Sequence, residues 1–546
     1  MRPIKRLEVS MDELQKIIER AKTTPLTDEE CDKLRKAFDT LAYLTGLVGE
    51  KNTTIDKLRK ILFGAGTEKI RNILANQVDG TAKTDEKAEG SAKQKAKGHG
   101  RNGAEDFTGA VRVQVAHESI KAGQRCPKCQ KGKIYRVQEP AVIVRITGQA
   151  PLQAMVYELE RWRCNLCGEV FTAEAPKEVG PGKWDESAAG MVGLLKYGTG
   201  MPFNRLEQLQ KSLGIPLPAS TQWDMVKEAA EDIEPAWEEL VRQGAQGEVL
   251  HNDDTTAVIL ETIRERHKRE QAGERDPDDR TGTFTTGIVS ILGERKIALF
   301  FTGGQHAGEN LRDVLLKRAA GLKPPIQMCD GLARNIPDLP EELKTILSNC
   351  NAHSRRQFVD VASRFPEECR FVLEVFRDVY QNDAVARREG MSPEERLTLH
   401  QAQSAPRMED LRLWMKEQLD EKKVEPNSGL GEAILYTQKR WDRLTRFLEI
   451  PGVPLDNNAA ERILKKAILS RKNSYFYKTA QGAHVGDVFM SLIHTAELAE
   501  ANPFDYLTEL QKNAAKVKSN PSEWMPWNYR ETIERSGIQQ TSAPEI

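Results

Sequence analysis

The stretch from Gly247 to Gly331 restricts the fold more than any other part of the chain. GEVLHNDDTTAVIL, GTFTTGIVSIL and KIALFFT alternate polar and apolar residues or run apolar over strand length, as half-buried and buried strands do. A helical stretch from Gly308 to Ala320 follows, and then PPIQMCDG, a fourth apolar run closed by glycine. Three strands, a helix and a fourth strand make a mixed α/β order. From about 355 to 450 the pattern turns helical, with Phe371, Val372, Val375, Phe376 and Val379 on one stripe and Ile434, Trp441, Leu444 and Leu448 on another. The sequence therefore predicts an α/β core over 246–355, a helical insertion over 356–452, the final core helices over 453–500 and a tail segment over 501–546.

At 546 residues the chain exceeds what one hydrophobic core supports, so several domains are expected, α+β as well as α/β. Within residues 1–76, Leu34, Leu41, Val48, Ile55 and Leu62 recur every seven positions, with Ala37, Leu44 and Leu58 at the complementary position. That is a coiled-coil seam, which predicts a homo-oligomer. Lys51, Gly46 and Gly49 interrupt it, and an intramolecular helical hairpin is the rival. Residues 77–108 are rich in Ala, Gly and Lys and read as a flexible tether. Residues 109–180 alternate like strands. Within the helical segment 184–245, Pro202 to Glu228 reads as helix, turn, helix: Phe203, Leu206 and Leu209 form an apolar face, Gly214 the turn, and Pro218, Ser220 and Thr221 open the next helix. Such a unit either reads DNA or simply packs. The charged insert Glu261 to Arg280 reads as a solvated hairpin tip.

The formal charge is −1, so any contact with nucleic acid must come from local patches. No run of about 18 apolar residues and no secretory signal is present, which predicts a soluble cytoplasmic protein with no membrane partner. Cys126-Pro-Lys-Cys129 and Cys164-Asn-Leu-Cys167 each set two thiolates on one tight turn. Two such turns joined through a hairpin supply the tetrahedral sulfur set of a structural zinc, making 109–180 a zinc ribbon. Redox chemistry would need only one pair.

Carboxylates that meet from distant parts of a chain can hold two divalent cations, as phosphoryl transfer requires. Asp253 and Asp254 lie in the first strand, beside His251 and Thr255; neighbours on a strand face opposite ways, so only one lines a site. Asp330 ends an apolar run directly before Gly331, where a strand stops at the edge of the sheet. Glu461 lies in LDNNAAERILKKAILSRKN, a helix that Asp456 or Asn457 can cap and whose apolar face is Ala460, Ile463, Leu464, Ala467 and Ile468. Taken singly, Asp330 reads as a turn residue and Glu461 as the partner of Lys465. Together they suit two-metal phosphoryl transfer.

KLRKILFGAGTEK, GHGR, CPKC and CNLC, HNDDTTAVIL, CDGLARN, CNAHSRRQF, LDNNAAERILKKAILSRKNSYF and MPWN together resemble the transposases of the IS66 insertion-sequence family, along nearly the whole chain. The resemblance implies a ribonuclease-H-like DDE core with two magnesium or manganese ions. It aligns the family's metal-binding acids with Asp253, Asp330 and Glu461. It further implies cleavage at the ends of a mobile element, joining of the 3′ hydroxyl to target DNA, a nucleoid-associated location and accessory proteins from the same element. Cys350 and His353 look like the cysteine and histidine that many DDE enzymes carry before the glutamate, read here as a structural pair. Arg355, Arg356, Arg462, Lys465, Lys466, Arg471 and Lys472 flank the site and are candidates for phosphate contact. A regulator that binds DNA without cutting it, and a structure-selective nuclease of the same fold, are the competing functions.

Overall fold

The computed structural model describes residues 122–135, 150–163, 170–176, 182–274 and 282–537, with Thr27, Cys167, Gly180 and Arg280 as single positions. The coiled-coil seam, the tether and Cys164 lie outside the described residues. Contacts divide the chain into two compact units. The smaller includes Arg355–Asp378 and Leu413–Ala433, and the larger is drawn from 83–354, 379–412 and 434–546.

Two short strands, β1 Arg161–Arg163 and β2 Val170–Thr172, pair antiparallel. Helices α1 Glu186–Gly193, α2 Phe203–Ser212 and α3 Ala219–Gly244 follow. The main sheet holds β3 Val249–Ala257, β4 Thr283–Leu292, β5 Arg295–Gly303, β6 Ile326–Cys329 and β7 Ile346–Asn349. Its order is β5-β4-β3-β6-β7, antiparallel across the first three strands and parallel from β3 through β6 to β7. Helix α4, Leu260–Gln271, stands between β3 and β4, and α5, Ala307–Leu315, between β5 and β6. Where the charge pattern predicts a hairpin tip, RERHKREQ is helical, because Arg, Lys, Glu and Gln are good helix formers and none of α4 is buried.

After β7 come α6 Asn351–Val361, α7 Pro366–Arg388, α8 Pro393–Leu399, α9 Ala405–Asp420, α10 Gly429–Gln438 and α11 Trp441–Leu444, in the stretch expected to be helical. In the smaller unit, Cys369, Val372, Leu373, Val375 and Phe376 are buried, and Phe371 meets Trp414 with ring centroids 5.4 Å apart. The chain closes with α12 Asn458–Ser474, α13 Ala480–Leu498, α14 Pro503–Lys512, α15 Ala514–Ser519 and α16 Tyr529–Arg535. Among the described residues no helix is long and apolar enough to cross a membrane.

Helix α3 buries Met225, Val226, Ile233 and Leu240 in one core with Leu250, Ile288, Leu299, Phe300 and the α13 residues Val488, Phe489 and Leu492. The turn after α2 carries Gly214 at φ 76°, a left-handed conformation common just past a helix end.

β5 is an edge strand, and its unpaired N–H groups would cost stability if buried without partners. Helix α13 supplies those partners at helical spacing. Thr495 Oγ1 accepts from Ala298 N at 3.1 Å, Ser491 Oγ from Phe300 N at 3.0 Å, and Asp487 Oδ2 from Thr302 N at 2.6 Å. Asp487 Oδ1 also lies 2.7 Å from Thr302 Oγ1. Burial pushes the Asp487 carboxyl up to about 7. The folded protein therefore holds a proton that the unfolded chain releases near pH 4. Stability falls as pH rises between those values, by up to a few kcal/mol. Asp487→Asn can keep both contacts, its amide donating to Thr302 Oγ1. Urea unfolding midpoints at pH 5 and pH 8 are expected to differ less in Asp487→Asn than in wild type; equal differences would refute the assignment.

Candidate active site

β3 and β6 run parallel with His251 opposite Met328. Two residues further along the same register, Asp253 stands beside Asp330, the residue that follows β6. Asn335 joins them, its Nδ2 donating to Asp330 Oδ1 at 2.6 Å and to Asp253 Oδ1 at 3.2 Å. Leu332 N donates to the same oxygen of Asp330 at 3.0 Å, and Asp254 N to Asp253 Oδ1 at 2.9 Å. Burial, and after it the neighbouring Asp330, push Asp253 up to about 7. The donors that reach this pair are neutral amides. No described cation pairs with either carboxylate, although Arg440 donates to the neighbouring Gly331 O at 2.9 Å, and two close carboxylates are what a divalent cation compensates.

Asp254 faces the other side of the sheet and is already compensated. Its Oδ2 is 2.9 Å from His306 Nδ1 and its Oδ1 is 3.3 Å from Arg334. This separates two acids that strand alternation alone leaves equivalent. A Cβ at Gly308 would sit 2.6 Å from Ile336 O and 2.8 Å from Arg334 O. Glycine there lets the start of α5 press against the loop that presents Arg334 and Asn335.

Glu461 arrives on α12. Asp456 Oδ1 accepts from Asn458 N at 3.1 Å at the start of this helix. Asn457 turns instead towards β3: its Oδ1 is 3.2 Å from His251 Nδ1, and its Nδ2 donates to Asn252 O at 3.1 Å. Its backbone N–H donates to Cys350 Sγ at 3.2 Å. The start of α12 is thus pinned to the strand carrying Asp253 and to the residue before α6. Burial pushes His251 down to about 4, so its ring is neutral at physiological pH. Glu461 Oε1 lies 3.7 Å from His353 Nδ1, and both atoms are buried with no hydrogen-bond partner among the described residues. Cys350, His353 and Glu461 each offer a ligand atom within 4.8 Å of the others. β6 and β7 run parallel with Cys329 opposite Asn349, so Asp330 and Cys350, the residues that follow them, stand at neighbouring strand ends.

Of the flanking bases, Arg462, Lys465 and Lys472 are exposed. Lys466 pairs with Glu497 at 3.4 Å, and Arg471 folds back onto Thr255 and Thr256. Sequence reasoning assigns Asn335 no role, and Asn457 only that of a cap; their bonds to distant strands have no local signature.

In the expected ribbon, Cys126 N donates to Gly132 O at 2.8 Å across a tight turn. The N–H groups of Gly132 and Lys131, with Cys126 beside them, hold the Cys129 thiol below its usual range. Cys167 lies in the connection between β1 and β2.

Residues 182–485 match the family described as Transposase IS66 family. The chain belongs to the IS66 family of transposases. The matched region of this IS66-family chain includes Asp253, Asp330 and Glu461. Two similar proteins come from Sinorhizobium fredii strain NGR234, both uncharacterized. The protein y4jD is 25% identical over 429 residues, 75% of this chain and 79% of the relative, and y4hP is 25% identical over 432 residues, 75% and 74% respectively.

Proposed function

We propose that this IS66-family protein is a DDE transposase that nicks the ends of its own element and joins the freed 3′ hydroxyl to target DNA. The observation that carries the reading is the shared hydrogen bond of Asn335, which holds together Asp253, in the middle of β3, and Asp330, just past the end of the parallel β6. The strand order, three antiparallel strands followed by two parallel ones, is consistent with a ribonuclease-H-like core.

Asp253, Asp330 and Glu461 would hold two magnesium or manganese ions. When bound, such ions activate the attacking water or hydroxyl and neutralise charge on the leaving oxygen. The donor set fits: Asp253 and Asp330 are neighbouring acids joined by Asn335, and Glu461 Oε1 is a buried oxygen with no hydrogen-bond partner among the described residues. Asn335 orients both aspartates by one amide. Asn457 fixes the helix that presents Glu461 against β3. The exposed Arg462, Lys465 and Lys472 would hold DNA phosphates, and α2 with α3 would serve as a DNA-binding helix pair. The four cysteines of the ribbon would hold a structural zinc. The amino-terminal seam would pair protomers, and accessory proteins of the same element are expected partners.

A strand-transfer assay with duplexes cut from the DNA flanking the gene tests this reading. Joined product is expected in Mg²⁺. Cleavage without joining would indicate a nuclease, and binding alone a regulator that has lost catalysis; either result would overturn the proposal.

A further inference from the structure

Beyond Asp253 along β3 lies a half-open pocket of about 380 Å³, counting its solvent mouth, lined by Lys196, Thr255, Thr285, Ser470, Arg471 and Ser474 among others. Lys196 reaches it from the π-helical turn Leu194–Gly198 that continues α1. Its side chain is buried, with Nζ donating to Ser474 Oγ at 2.6 Å and lying 5.2 Å from the centre of the Phe203 ring. Arg471 spends Nη1 on Thr255 and Thr256, leaving Nη2 and Nε. Among the described residues neither cation has a carboxylate partner.

Two cations and several hydroxyls in one pocket, with no acid, are a binding site for an anion. Desolvation lowers Lys196 to about 8, so it remains largely charged at neutral pH with no carboxylate partner among the described residues. The pocket's cations and hydroxyls suit the oxygens of a tetrahedral anion. Thr255 shares the strand face of Asp253 two residues away, about 7 Å along the strand, a distance comparable to one nucleotide step.

We propose that Lys196, Arg471, Ser474 and Thr255 form a seat for a backbone phosphate of DNA next to the phosphate being cut. The inference rests on the transposase reading and adds to it a contact from outside the catalytic acids. It explains why a lysine is kept buried beside a strand end that carries catalysis.

The test is the salt dependence of binding to a labelled duplex cut from the DNA flanking the gene, measured with the full chain. Each phosphate neutralised contributes about 0.9 to the slope of log affinity against log salt. Lys196→Met should make the slope shallower by up to about one, as should Arg471→Gln, and because both hold the same phosphate the double variant should lose no more than about one in total. Lys196→Met removes a buried charge and keeps apolar bulk, so it should fold, which its unfolding midpoint checks; Arg471→Gln keeps the question open if it does not. An unchanged slope in folded Lys196→Met overturns the seat alone. Stabilisation by inorganic phosphate that Lys196→Met abolishes, with the slope unchanged, would make this a free-anion site and also overturn the DNA assignment. A wild-type protein that binds no DNA would sink the transposase reading and the seat together.

Discussion

Asp330→Asn is expected to lower single-turnover cleavage of element-end DNA by at least about 10²–10³-fold, the scale on which losing one preorganised electrostatic contact is felt. The substitution isolates charge from shape. The introduced amide would keep an oxygen able to accept from both Asn335 Nδ2 and Leu332 N, the two donors that Asp330 Oδ1 uses now. The loop after β6 should therefore hold its form, and affinity for DNA should be preserved. The same substitution removes the charge that helps to raise Asp253, so Asp253 should ionise more readily while still failing to support cleavage. Glu461→Gln is expected to behave in the same way, because its carboxylate makes no hydrogen bond through Oε1 that the amide would break. Cleavage at the wild-type rate in Asp330→Asn, with Mg²⁺ present, would remove that residue from the catalytic set.

How far the sequence reached depended on whether a contact was local. Four of the five strands of the main sheet, the end of β6 at Asp330 and the helix of Glu461 follow from apolar period and turn chemistry, whereas β7, only Ile346–Asn349, is too short to show a period and is missed. The choice between Asp253 and Asp254 does not. Alternation places them on opposite faces, but which face holds α12 and which holds His306 and Arg334 is decided by the packed structure. Asn457 shows the same limit. It sits where a cap is expected, yet its side chain bonds to β3, 205 and 206 residues away in sequence. Lys196 is a stronger case: a lysine in an apolar helical stretch carries no mark of the pocket it enters, because Ser474 lies 278 residues downstream. Helix α4 was obscured for another reason, since its charged sequence suits a solvated tip and a solvated helix equally.

Gly287→Val is expected to abolish most cleavage without altering any acid, and its sign is informative because valine otherwise favours strands. Gly287 lies on β4 directly opposite Asp253. A Cβ built there would stand 3.0 Å from Cγ and Cδ2 of Leu464 and 3.1 Å from Ile463 Cδ1, closer than ordinary van der Waals contact, and valine adds two further methyl groups. Leu464 and Ile463 belong to α12, so the missing side chain lets the helix of Glu461 lie close against the sheet beside Asp253. Overpacking of this kind costs about 1–3 kcal/mol of stability. The larger consequence is geometric, since displacing a catalytic group by about 1 Å can cost 10²-fold in rate. Leu464→Ala makes room at the same place, and the double variant should lose less stability than the sum of the two single losses. Strict additivity of the unfolding free energies would show that the two side chains do not compete for the space. A Gly287→Val protein as stable and as active as wild type would show that the approach of α12 to the sheet does not set the position of Glu461.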